Sequence, residues 1–220
     1  MTAEMPSRKR SIEKPVAVAV EGLDCFYTLL NQIKDDPDLQ DVQLWDFMDL
    51  GRGKFSRWLS IFKTLEGFED RVGAIGVIRD AEGNAAGMAD SIKSAFEDNG
   101  FPVPTESMSV IAGRPALGFL LMPHGEDSGC LEHAVLQAAS PDLPMQCVEQ
   151  YLDCVENGSR NPNPNWRAKM KVHALIATGE NPAWTLSESV RAGLWDMEHA
   201  ALRVMMDFIR KLSRDAVNSG

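Results

Sequence analysis

Glu21, Asp80 and Glu82 are the residues whose types and spacing could do chemistry together. Glu21 closes the apolar run Pro15-Val-Ala-Val-Ala-Val20, and Asp80 and Glu82 follow a second apolar run at 72–78. Short runs of this kind, apolar throughout and rich in Val and Ile, read as strands buried on both faces. In an open parallel sheet, ligands collect at the carboxyl ends of the strands, so the three carboxylates can meet at one edge. Asp80 and Glu82 lie two apart, which in an extended segment aims both side chains the same way. Three such carboxylates suit a hard divalent cation, since Mg²⁺ takes oxygen ligands and holds substrate phosphates besides. Gly22 and Gly83 follow the acids and leave little bulk where a substrate would approach. Acids after strands are also ordinary turn residues, and that reading stands beside the metal one.

The elements that must hold these acids alternate along the first half of the chain. Strands are expected at 15–20, 42–47, 72–78, 108–112 and 117–122, and helices at 23–34, 55–65 and 84–98, with a loop at 51–53. After Pro123 the pattern turns wholly helical, with pieces at 131–139, 145–155, 166–178 and 196–212 and a capping box at Thr185-Leu-Ser-Glu188. Between them 156–165 is a turn-rich loop. The expected fold class is α/β: an open, mainly parallel sheet with helices on both faces, plus a C-terminal all-helical layer. The expected division is a flexible tail at 1–14, an α/β domain at 15–124 and a helical extension at 125–220 packed on it.

Composition narrows the partners. The formal charge of −10 over 220 residues excludes a uniformly basic nucleic-acid surface, but not a local basic groove near Lys54, Arg57, Arg167, Lys169 and Lys171. Arg160 and Trp166 extend that basic stretch, with the aromatic usable for stacking on a single strand. No apolar stretch is long enough to span a membrane and the first residues lack an apolar signal core, so a cytoplasmic protein with no membrane partner is expected. A homo-oligomer is compatible with everything here. None of the four cysteines forms a Cys-x-x-Cys pair, which argues against a zinc knuckle or a redox motif. Cys147 and Cys154, two helical turns apart, read as small apolar residues in a helix interface. Gly51-Arg-Gly-Lys54 lacks the spacing of a phosphate loop.

The strand ending in Val20-Glu21-Gly22-Leu-Asp24, followed later by Ile-Gly-Val-Ile-Arg-Asp80-Ala-Glu82, resembles the Toprim signature. Toprim is the domain shared by topoisomerases, primases and the overcoming-lysogenisation-defect nucleases. The likeness is nearest to small stand-alone Toprim-like proteins and extends through Gly129-Cys-Leu131-Glu132 and Lys169-Met-Lys171-Val-His173, across about residues 15–180. It implies metal-dependent phosphoryl transfer on nucleic acid, with nuclease activity the leading expectation. Glu21 would be the general acid/base or a metal ligand, Asp80 and Glu82 metal ligands, and Glu132 and Lys171 accessory groups, the first at the metal and the second catalytic. Glu132 also reads as an acid favoured by a helix N-terminus, and Lys171 as a solvated helix position. Glu82 stands where the family usually has Asp, and its longer arm favours the larger Mn²⁺ beside Mg²⁺ as cofactor. The competing reading is a catalytically silent Toprim-like module that binds a nucleotide, a nucleic acid or a partner protein. A receiver-type signalling domain fits worse, because the last strand ends in Met122-Pro123-His124 with no lysine to pair with a phosphoryl group.

Overall fold

Strands form where the chain is apolar on both sides. The computed structural model describes residues 11–47, 55–156 and 164–218. In it β1 (Val16–Val20), β2 (Val42–Asp46), β3 (Ala74–Asp80), β4 (Val110–Ile111) and β5 (Ala116–Met122) make one sheet in the order β2-β1-β3-β5-β4. β1, β2, β3 and β5 run parallel, while the two-residue β4 pairs antiparallel along the edge of β5. The helices are α1 (Leu23–Asp35), α2 (Phe55–Phe62), α3 (Phe68–Arg71), α4 (Ala85–Asp98), α5 (Leu131–Gln137), α6 (Met145–Glu156), α7 (Pro164–Ala177), α8 (Leu186–Arg191) and α9 (Ala200–Asn218). The expected class therefore holds: an α/β fold with helices on both faces of a mainly parallel sheet, and helices alone after β5.

Strand alternation divides the core in two. Val16, Val18 and Val20 of β1 and Ala74 and Ile78 of β3 pack with α1, α5, α8 and α9. Ala17, Ala19, Ile75 and Val77 pack on the other face with α2 and α4, in a core rich in rings. There Trp58 stacks on Phe62 with centroids 4.6 Å apart, and Trp45 meets Phe62 edge-on at 5.0 Å. Helix α9 crosses the first face directly. Gly76 and Gly118 make room for it, because a Cβ at Gly76 would lie 2.6 Å from Leu212 Cδ2, and one at Gly118 3.0 Å from Phe208 Cε2.

Several local expectations are corrected. Residues 11–14 are no tail: Ile12 is buried among the rings, Arg71 donates to its carbonyl at 2.9 Å, and Glu13 N–H donates to Gln43 Oε1 at 2.8 Å. One apolar residue seated in a preformed notch suffices to anchor such a short stretch. Cys147 and Cys154 are exposed, because the buried stripe of α6 runs through Val148 and Leu152, one turn apart. Helix α9 starts at Ala200 rather than 196, after a turn in which Asp196 Oδ1 accepts from Glu198 N–H at 2.9 Å. The loop at 51–53, Lys54 and Arg160 lie outside the described residues. Among those described, no helix is long and apolar enough to cross a membrane.

Candidate functional site

The sheet's connections reverse at β1 and β3. From β1 the chain leaves by α1 on one face towards β2, and from β3 it leaves by α4 on the other face towards β5. The carboxyl ends of this pair of neighbours are the topological switch point, where open α/β sheets bind ligands. Glu21 follows β1 directly and Asp80 ends β3, and Glu21 N–H is tied to Ile78 O at 3.3 Å.

Alternation sends the two acids to different sides. Arg79 follows Ile78 and so projects with Ile75 and Val77 towards the aromatic face, where it meets Glu21. Arg79 Nε donates to Glu21 Oε2 at 2.9 Å and Nη2 to Oε1 at 3.4 Å, while the guanidinium lies 5.5 Å from the centre of the Phe47 ring. Asp80 projects to the α5 side. Its Oδ1 accepts from the backbone N–H of Leu131, the first residue of α5, at 2.9 Å.

The next residue of α5 is Glu132, only 9% exposed, and its Oε2 is buried with no hydrogen-bond partner. Burial, then the charge of Glu132 and more weakly that of Glu21, push the Asp80 carboxyl up to about 7, against the pull of the Leu131 N–H and of Lys169. Burial and Glu132 likewise raise Asp24, in the first turn of α1, against the pull of His173 and Lys169. The thiols of Cys25 and Cys130 are buried, and burial with the neighbouring carboxylates pushes both up; Cys130 Sγ lies 3.3 Å from His133 Nδ1.

Glu82 does not continue the strand. Its φ of +53° turns the chain, its N–H and C=O pair with Gly129, and its carboxylate accepts from Asn165 Nδ2 at 2.8 Å. Asn165 opens a row on α7 with Lys169 and His173, each one turn further on. Burial alone would lower the Lys169 ammonium, but the carboxylates of Glu132, Asp80 and Glu82 outweigh it and raise its pKa. Lys171 faces elsewhere: its ammonium is bonded to Glu149 of α6, beside Arg167, which Glu149, Asp153 and Glu156 hold together. Arg57 is exposed on α2, across the sheet from α7. The basic residues expected to share one groove are thus divided, and Lys169 is the member that addresses the acids.

The family described as a protein of unknown function (DUF3226) matches residues 54–214, which is most of the chain. The protein belongs to that family. No curated protein and no solved structure matches it. The part of this DUF3226 chain that matches includes Asp80, Glu82, Glu132, Lys169 and Lys171, while Glu21 precedes it.

Whether these residues fit a metal is decided by their donors. Among the described residues of this DUF3226 protein, no three His, Cys, Asp or Glu side chains stand together as a ready cage. Glu21 is held by Arg79 and Glu82 by Asn165. Asp80 and Glu132 remain, a pair of crowded carboxylates with one buried oxygen unpartnered. That pair fits Mg²⁺ or Mn²⁺, since Mg²⁺ is commonly bound by one or two carboxylates together with waters and substrate phosphates rather than by an all-protein cage. Sequence reasoning gave Arg79 and Asp24 no role and placed Lys169 only in the basic groove. Arg79 did leave a signal, as the one charged residue between the apolar run of β3 and Asp80.

Proposed function

We propose that this protein carries out Toprim-type, divalent-metal-dependent phosphoryl transfer on nucleic acid, as a nuclease. The observation that carries the reading is the Asp80–Glu132 pair at the switch point: one carboxyl pushed up to about 7 and the other with an orphaned, buried oxygen. Two acids so placed repel each other without a cation and are relieved by one. Asp80 and Glu132 would hold Mg²⁺ or Mn²⁺, which when bound supplies charge neutralisation and orientation at the phosphate. Glu21, on the neighbouring strand end, accepts the proton of the attacking water. Lys169 takes the role first expected of Lys171, offering positive charge to the phosphoryl oxygens as charge develops. Beside Asp24, Tyr27 of α1 is 50% exposed, a ring on which an unpaired base can stack, with the exposed Leu23 one turn away as an apolar contact. The setting is cytoplasmic in this reading.

The test is cleavage by the purified full chain in Mn²⁺ of single-stranded DNA, single-stranded RNA and supercoiled plasmid. Activity lost in Asp80→Asn and in Glu132→Gln supports the reading. Cleavage that survives both substitutions sinks it.

The second reading, a silent Toprim-like binding module, is favoured by one observation: both oxygens of Glu21 are engaged by Arg79. Nucleic acid retained with Mn²⁺ but never cut would select it.

A further inference from the structure

Arg79 has no part in the reaction as described, yet it is 8% exposed on a strand that is apolar from Ala74 to Ile78. A buried guanidinium is costly unless a counter-charge and hydrogen bonds meet it. Glu21 supplies both, with contacts of 2.9 and 3.4 Å, and the Phe47 ring lies against the cation. The planar fork fixes the orientation of the carboxylate, which a lysine could not do. It also draws Glu21 to the aromatic face, while Asp80 and Glu132 meet on the other.

We propose that Arg79 is a positioning residue that keeps Glu21 out of the cation's ligand set and reserves its carboxylate for proton transfer. This rests on reading Asp80 and Glu132 as the cation site. Glu21 is 19% exposed and its Oε1 makes only the longer contact to Arg79, so a water can reach that oxygen. The step balances. The water oxygen bonds to phosphorus as one water proton passes to Glu21, the bond from phosphorus to the leaving oxygen breaks, and that oxygen takes a proton from solvent. Glu21 then returns its proton to solvent.

Calorimetric titration of the full chain with Mn²⁺, without nucleic acid, tests this directly. Glu21→Gln is expected to bind Mn²⁺ within about twofold of wild type, whereas Asp80→Asn loses about tenfold or more. Arg79→Met keeps an apolar stem against Phe47 but releases Glu21 as a third carboxylate, so Mn²⁺ should bind severalfold tighter, and adding Glu21→Gln should remove that gain. If Glu21→Gln weakens Mn²⁺ as much as Asp80→Asn does, Glu21 is a ligand; the proposal falls and the cation site stands. A gain that persists in the double variant reflects the lost positive charge alone and also overturns the proposal. No Mn²⁺ binding by wild type overturns the cation site and this proposal with it. Should Arg79→Met fail to fold, the Glu21→Gln titration decides alone, since Gln keeps an amide oxygen to accept from Arg79 and a melt of that variant checks its fold.

Discussion

Glu132 follows directly on Leu131, whose N–H donates to Asp80 Oδ1 at 2.9 Å where α5 meets the end of β3, and its charge is second only to burial in raising the Asp80 carboxyl to about 7. The unfolded chain has no such neighbour, so Asp80 there ionises near its ordinary 3.8. The contribution of this group to stability is whole below about pH 4. It is lost as the pH rises towards 7, because the unfolded state gives up the proton first.

Asp80→Asn should therefore stabilise the metal-free protein at pH 8, by about 1–3 kcal/mol, and the advantage should vanish by pH 4. Asn keeps an oxygen for the Leu131 N–H and removes only the charge. Denaturant melts of both proteins in chelator at the two pH values would measure it. A constant difference across pH would mean that Asp80 does not titrate in this window.

Millimolar Mg²⁺ or Mn²⁺ should raise the melting temperature of wild type and leave Asp80→Asn and Glu132→Gln nearly unmoved. A cation at a hundred times its dissociation constant contributes about 2.7 kcal/mol by mass action. Equal shifts in all three proteins would place the bound cation elsewhere.

Lys169 and Lys171 should separate. Lys169→Met is expected to lower the rate of Mn²⁺-dependent cleavage by about a hundredfold, the scale of removing one group that stabilises developing charge. Lys171→Met unfastens α7 from Glu149 and should show chiefly as lost stability, on the order of 1 kcal/mol for a half-buried pair, read as a lower melting temperature. Cleavage rates under saturating substrate, set beside thermal melts, distinguish the two lysines. The reverse pattern would return the catalytic role to Lys171.

Gly118→Ala should destabilise more than Gly76→Ala. A Cβ at Gly118 would come within 2.9 Å of the backbone oxygen of Ser109, which cannot rotate away, whereas at Gly76 the closest atom is the movable end of Leu212. Overpacking of this sort costs about 1–3 kcal/mol. Chemical denaturation of the two variants gives the order.

The strands and the position of the acids at their ends were legible because short apolar runs bounded by acids and glycine have few other readings. Which face each acid takes was not. Strands buried on both sides, such as Val16–Val20, carry no polar alternation to set their phase. The parting of Glu21 from Asp80 therefore had to come from packing. Lys171 was preferred by resemblance, but its ammonium is spent on Glu149 of α6, while the exposed Lys169 is the lysine whose charge reaches the acids; that division is set by the docking of α6 and is not written in α7 alone. Glu132 was legible as a residue but not in its burial, which depends on the docking of α5 beneath β3. The short α3 is too brief to leave a period in the sequence, and the strand expected at 108–112 shrinks to the two residues of β4, whose antiparallel sense comes from its pairing with β5.

Glu82 and Gly129 exchange both backbone hydrogen bonds, at 2.7 and 2.6 Å, and Ala85 N–H reaches Asp127 O at 2.8 Å. These rungs bolt the loop leaving β3 to the loop entering α5, so the gap between Asp80 and Glu132 is gauged by main chain, like the jaws of a calliper. Side chains around the gap can vary without resetting it. One residue inserted between 81 and 84, or between 125 and 129, would shift the rungs and misgauge the pair while leaving every side chain of the site in the sequence. Among relatives of this protein, the lengths of these two loops should be more telling of a shared chemistry than the count of acids they carry.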